Sequence, residues 1–195
     1  MAITAGGNDV HRRPAREKLL DAANELFYNE GTQTVGIDRV IERAGVAKAS
    51  LYNTFGSKEE LVKAYLQCRH TRTTERLNAA IDRHTDPVER LLAVFDAQAE
   101  TFAQPDFRGC AFISASAEAP AGGQIERAAD DYRHDVRALL IRLARDAGAP
   151  DPETLAHQLH LLYDGAGISA WMDHDPSAAV AARAAAAALL DSQIQ

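Results

Sequence analysis

Residues 36–55 read GIDRVIERAGVAKASLYNTF, and the fold of the chain turns on this stretch. Ile37, Val40, Ile41 and Ala44 recur at i, i+3, i+4 and i+7, the spacing of one helix face. Gly45 follows, and glycine takes a positive φ without steric cost, so the first helix is expected to stop there. Val46 then plugs the angle to a second short helix whose Leu51 and Phe55 point inward. Such a unit buries Ile37, Val40, Ile41, Val46, Leu51 and Phe55 against a preceding helix. Its outer face is left with Lys48, Ser50, Tyr52, Asn53 and Thr54, groups suited to phosphate oxygens and base edges on an element that fits the major groove. A purely structural helical hairpin would show the same pattern, so periodicity alone leaves both readings open.

Upstream, residues 1–12 are polar and are expected to form a disordered arm. A helix from about Pro14 places Leu19, Ala22, Ala23, Leu26 and Phe27 on one face and stops at Gly31. Downstream, Gly56 breaks the pattern, and Ser57 with Glu60 reads as a capping box that starts a long helix. Asp86-Pro87, Asp151-Pro152 and Asp175-Pro176 each read as a cap followed by proline at the first helical position. Between them lie a helix with Leu91, Leu92, Phe95 and Phe102, a short one from Cys110 to Glu118, and a long one with Tyr132, Val136, Leu139, Leu140 and Leu143. The chain ends in an alanine-rich helix beginning near Ala178. No period-two alternation bounded by hairpin turns occurs. The expectation is an all-α chain of about nine helices.

Charge is divided unevenly. The whole chain carries a net −7, yet residues 1–63 hold nine Lys or Arg and nine Asp or Glu. All of the excess acid therefore lies in residues 64–195. A phosphate-binding surface needs local cations rather than a basic whole, so this balance permits DNA binding. The longest apolar run, Ala184 to Leu190, is far short of the ~18 residues of a membrane span. Arg12 and Arg13 are not followed by an apolar stretch with a cleavage site, and the two cysteines are too few for a disulfide scaffold. A cytoplasmic location without a membrane partner is expected.

The segment from Arg16 to Ala64 carries Ala22-Ala23, Leu26-Phe27, Gly31, Ala44-Gly45-Val46, Leu51-Tyr52, Phe55 and the run from Ser57 to Val62 at fixed spacing. In these residues the chain resembles the DNA-binding domain of the TetR/AcrR family of repressors. The resemblance implies an all-helical homodimer that binds double-stranded DNA at a palindromic operator and is released by a small-molecule effector. It divides the chain into the arm at 1–12, a three-helix helix-turn-helix domain at 13–56, and a ligand-binding and dimerisation domain at 57–195 joined through a long helix. Carried over by position, Lys48, Tyr52 and Lys58 look like phosphate anchors, while Ala49, Ser50, Asn53 and Thr54 face bases or the adjacent backbone. Two departures stand out. Ala47 occupies a position where the family often has a capping Ser or Thr, and Asn53-Thr54 replaces a frequent histidine-containing pair.

In the second domain, Leu155, Leu159, Leu162, Ala166, Ala185 and Leu189 are the expected dimer contacts, where alanine lets helix backbones approach closely. Phe95, Gln98, Phe102, Phe112, Tyr132, Tyr163 and Trp171 are the candidate lining of an effector pocket, with His134 or His157 as further polar handles. Each of these aromatics also suits plain core. His157, His160 and Asp164 share one helical face that would suit a divalent metal, though such faces are common without one. Cys68 and Cys110 would form a redox pair if their helices meet, and are otherwise two inert thiols. Neither a nucleophile elbow nor a glycine-rich phosphate loop is present, so no enzyme, metal or cofactor is expected. The rival readings are a helical ligand-binding protein without specific DNA binding, and a regulator that activates rather than represses.

Overall fold

The computed structural model describes residues 14–194, so the expected arm at 1–12 lies outside the described residues. Among the described residues the secondary structure is nine helices: α1 (Ala15–Glu30), α2 (Ile37–Ala44), α3 (Lys48–Phe55), α4 (Lys58–Ile81), α5 (Pro87–Phe102), α6 (Ala111–Glu118), α7 (Gln124–Asp146), α8 (Pro152–Met172) and α9 (Ala178–Gln193). They form two compact units, one ending at Tyr65 and the other beginning at Leu66.

The first unit is built on α1. Its predicted stripe of Leu19, Ala22, Ala23, Leu26 and Phe27 is buried, and the helix stops where the Gly31 N–H donates to the Phe27 carbonyl at 3.0 Å. Each large aliphatic side chain so buried stabilises by roughly 1.5–3 kcal/mol relative to solvent. Helices α2 and α3 both pack on α1. Gly45 sits at φ 62° and ψ 42°; its N–H donates to the Glu42 carbonyl, and the Val46 N–H to that of Ile41. These two bonds are the Schellman pair that closes a helix on a left-handed residue.

Burial in this unit differs in detail from the periodic expectation. Val40 and Leu51 are fully buried, whereas Ile37, Ile41, Val46 and Phe55 are only half-buried. A three-helix unit has one shared interior, and the flanking positions of two eight-residue helices reach only its rim. Val35, which periodicity did not select, is fully buried. It precedes the Gly36 cap of α2, and Val40 is the fourth residue of that helix. Those are the two positions of a hydrophobic staple, which fixes the angle at which the chain enters the helix.

In the second unit α7 packs on α8, and α9 packs on both α5 and α8. The Asp86 carboxylate accepts from the Val88 and Glu89 N–H groups, and that of Asp151 from the Thr154 N–H, as side-chain caps with proline at the start of each helix. At the last helix the expected start shifts. Asp175 accepts from the Ser177 N–H and hydroxyl, and α9 begins only at Ala178. The Ala178 and Ala179 amides at its start bond three residues back, to Asp175 and Pro176, so a tight turn leads into the α-helix. The alanines of α9 bury Ala179, Ala182 and Ala186 in line with Leu190, and Arg183 reaches back to Asp96 and Glu89. Among the described residues no helix is long and apolar enough to cross a membrane.

Candidate nucleic-acid interface

The short turn after Gly45 sets the direction of α3. Leu51 enters the core of the first unit with 0% of its surface exposed, which turns the opposite face outward. On that face Lys48, Ala49, Asn53 and Thr54 are exposed, Tyr52 is 47% exposed, and Ser50 is half-buried. A large aromatic held half in solvent on an eight-residue helix keeps its hydroxyl free to donate to a phosphate oxygen. Lys58, at the first position of α4, is half-buried, with its ammonium 3.5 Å from the Gln33 carbonyl.

The cations around this face are already partnered. The Lys48 ammonium lies 2.7 Å from an Asp38 carboxylate oxygen, and the hydrogen bond with that carboxylate holds the lysine pKa above its usual value. Arg39 pairs with Glu30 and Arg43 with Glu25, tying α2 to α1. Arg16 lies over the Phe55 ring, its guanidinium carbon 5.7 Å from the centroid. The Thr54 hydroxyl donates to the Ser50 carbonyl at 2.6 Å, a bond to the preceding turn that holds it against its own helix. Ala47 makes no side-chain cap for α3, as its methyl group dictates.

The seven candidate pocket residues do not form one lining. Four of them join in the interior of the second unit. Phe112 and Tyr132 stack in parallel with centroids 3.9 Å apart, the Tyr132 and Tyr163 hydroxyls meet at 3.1 Å, and the Gln98 amide donates to the Tyr163 carbonyl at 2.9 Å. Phe95 is fully buried core on α5. Phe102 and Trp171 instead line a half-open depression of about 210 Å³ with Phe107 and His174. Trp171 covers Gly109, where an added Cβ would lie 3.0 Å from the indole and where φ is +84°.

Sequence reasoning missed several polar members of the interior cluster. His70 of α4 meets the Tyr132 ring edge-on at 5.5 Å and pairs with Asp135 at 3.1 Å. Arg133 pairs with Asp164 at 2.7 Å. Periodicity marks apolar faces, and polar residues half-covered by them carry no periodic signal. Burial pushes the Tyr163 phenol up to about 12 and holds that of Tyr132 well above its ordinary value, so both hydroxyls stay neutral. Burial also raises the Cys110 thiol and lowers His160, which is almost fully enclosed. His134 and His157 point to solvent, and His160 lies 3.8 Å from Asp164. His157, His160 and Asp164 therefore do not converge; among the described residues no three His, Cys, Asp or Glu side chains form a metal-sized group. Cys68 and Cys110 are both free thiols.

The faces of α8 and α9 also differ from the expected dimer contacts. Leu155, Leu159 and Ala166 are buried within the single chain, Leu162 and Leu189 are half-buried, and Ala185 is exposed. The first three are used up in packing, because α8 lies between α7 and α9. What α8 leaves outside is Leu161, Gly165, Ile168 and Met172, spaced as one stripe, with Val180 and Ala184 on α9.

Comparison with known proteins decides the family. Residues 19–65 match the family model described as bacterial regulatory proteins, tetR family. The structure superposes on a TetR-family transcriptional regulator of Streptomyces coelicolor with a TM-score of 0.88 and 28% identity, covering 94% of this chain and 98% of that one. A TetR-type regulator of Streptomyces avermitilis is 33% identical, with a TM-score of 0.79, over 92% of this chain and 97% of that one. The chain belongs to the TetR family of transcriptional regulators. Among its curated relatives, the transcriptional activator FasR of Mycolicibacterium smegmatis is 38% identical over 91 residues. That match covers 47% of this regulator and spans only 42% of the length of FasR. The family and its all-α fold with an N-terminal helix-turn-helix thus agree with the resemblance carried by residues 16–64.

Proposed function

We propose that this regulator is a homodimeric repressor that grips a palindromic operator through α3 and is released by a small-molecule effector. The observation that carries the reading is the split of α3 into a buried Leu51 and an outer face of Lys48, Ala49, Tyr52, Asn53 and Thr54. Lys48, Tyr52 and Lys58 anchor phosphates, and Ala49, Ser50, Asn53 and Thr54 face the bases or the neighbouring backbone. Asn53 has the geometry to accept from and donate to adenine together. Thr54 first turns its hydroxyl away from Ser50. Repression follows from occupancy, since a dimer covering two half-sites excludes other proteins from the same DNA.

Pairing of two chains uses the outer stripe of Leu161, Gly165 and Ile168 on α8 with Val180 and Ala184 on α9. Leu161 is 60% exposed and Val180 65% in the single chain, and a two-fold contact would cover both. The effector site is the interior cluster around Gln98, Phe112, Tyr132 and Tyr163. Release requires that the effector bind more tightly to the state that does not fit DNA, and the shift is limited to that difference in affinity. FasR, an activator, favours a second reading in which the bound dimer activates.

Selection of binding sites from a random duplex library tests the proposal. The expected product is an inverted repeat whose half-sites lie ~34–36 Å apart, one helical turn, bound by two chains. Recovery of no common sequence contradicts it. A reporter downstream of the selected site, compared with and without the regulator, separates repression from activation.

A further inference from the structure

The ends of α5 and α8 enclose the half-open depression of about 210 Å³, which shares no lining residue with the interior cluster. Its walls are aromatic. Phe102 and Phe107 meet with ring centroids 4.9 Å apart, and Trp171, the one tryptophan of the chain, is 47% exposed. Gln104 and His174 are its polar side chains, the rest is alanine and proline, and no lysine, arginine, aspartate or glutamate lines it.

These walls are fixed by bonds within the chain. The Phe107 N–H donates to the Gln104 carbonyl at 3.0 Å, and the Arg108 guanidinium donates to the Pro105 and Phe107 carbonyls at 3.2 and 2.8 Å, which ties the turn after α5. Gly109 closes on the indole so tightly that an added Cβ would lie 3.0 Å from it, which sets the ring in place. On the α8 side, His174 follows the C-cap Asp173 at φ 54°, the one non-glycine residue at positive φ among the described residues. Glycine serves that helix-ending position without steric cost. Histidine keeps the strain and puts an imidazole into the lining, and backbone strain of this kind gathers at binding sites.

The lining also defines what would fill it. An apolar cavity of about 150 Å³ takes up one benzene ring, so this volume suits a single ring with a small substituent. Neither an anion nor a cation finds an oppositely charged side chain here, whereas a flat ring can stack on the indole. The Gln104 amide nitrogen already donates to the Glu100 carbonyl at 3.0 Å, which leaves the amide oxygen as an acceptor. We propose that the depression is a binding site for a small uncharged aromatic molecule with a hydroxyl or N–H donor, stacked on Trp171 and donating to the Gln104 amide oxygen. The site is separate from the effector site above and does not depend on it.

The single tryptophan makes the site directly readable. Trp171 emission of the full chain, excited at the red edge of indole absorption, is titrated with p-cresol, toluene, benzoate and benzylamine at constant ionic strength. A saturable blue shift is expected with p-cresol, a weaker one with toluene, and none with the two ions. Gln104→Ala is expected to weaken p-cresol about fivefold, the loss of one hydrogen bond, and to leave toluene unchanged. His174→Gly is expected to weaken p-cresol while leaving the ligand-free Tm unchanged or higher. No saturable shift with any probe would overturn the inference, as would an equal or larger shift with benzoate or benzylamine. So would p-cresol binding that ignores both substitutions, or a His174→Gly protein of clearly lower Tm. Emission that is already blue and moves to the red on dilution of the protein alone would show that a second copy of the chain covers Trp171, and would overturn it too.

Discussion

Lys48 and Asp38 make a measurable pair on the surface proposed to face DNA. Their ammonium and carboxylate lie 2.7 Å apart, and both side chains are well exposed, so in free protein the lysine is partly neutralised before any phosphate arrives. Each lysine–phosphate contact contributes about −0.9 to the slope of log K against log salt, so Lys48→Ala in both chains of a dimer removes at most about 1.8. Between about 50 and about 200 mM salt, that difference makes the variant lose roughly 12-fold less affinity than wild type. With Asp38 present the loss of slope should fall short of this limit, because part of the lysine charge is already balanced. In an Asp38→Asn background Lys48→Ala should remove nearly the full amount, and Asp38→Asn alone should tighten binding to every duplex. Fluorescence anisotropy with a labelled duplex, titrated at four salt concentrations for all four proteins, reads these slopes. The reasoning is refuted if Lys48→Ala leaves the slope intact, or changes preference at one base pair while affinity for other sequences holds.

Three other substitutions probe the two units. Gly45→Ala meets no atom within 4 Å, so only the left-handed backbone opposes it, and urea unfolding should show a loss of about 1–2 kcal/mol. Tyr163→Phe strands the buried Tyr132 hydroxyl and should destabilise by about 1–3 kcal/mol, whereas Tyr132→Phe together with Tyr163→Phe should recover part of that loss. His160 is kept neutral by burial, against the pull of Asp164 and with the help of Arg133, Arg137 and His157. Its folded pKa is depressed, so the unfolded chain takes up the proton first as pH falls through about 6.5, and stability should decline below that pH. Urea midpoints measured from neutral pH downward should show this decline in wild type and a shallower one in His160→Gln.

Where local chemistry decides structure, the sequence was a good guide. Gly45 closes α2 because a left-handed residue costs glycine nothing, and Asp86 and Asp151 cap α5 and α8 because their carboxylates reach the free N–H groups of the first turn. The inward turn of Leu51, and with it the outer face of α3, follows from the same short-range pattern. Three-dimensional competition was not legible. Leu155 and Leu159 lie on the apolar face of α8, but whether that face meets α7 and α9 or a second chain is set by packing that periodicity does not record. The aromatics expected around one pocket divide between the interior and a surface depression for the same reason: Phe102 is one turn beyond Gln98 on α5, yet faces Trp171 and Phe107 rather than Tyr163. Val35 shows the opposite case, a signal present but unread, since the staple positions around Gly36 identify it.

The central claim is that α3 holds a specific DNA site. Titration of the purified chain against the intergenic DNA beside its own gene, across salt concentration and with excess competitor DNA, tests it most directly. The account predicts saturable binding of two chains per site that survives competitor and is lost on Lys48→Ala together with Tyr52→Ala. Weak binding to that DNA and to library-selected duplexes alike, erased by moderate salt and indifferent to those two substitutions, would contradict it.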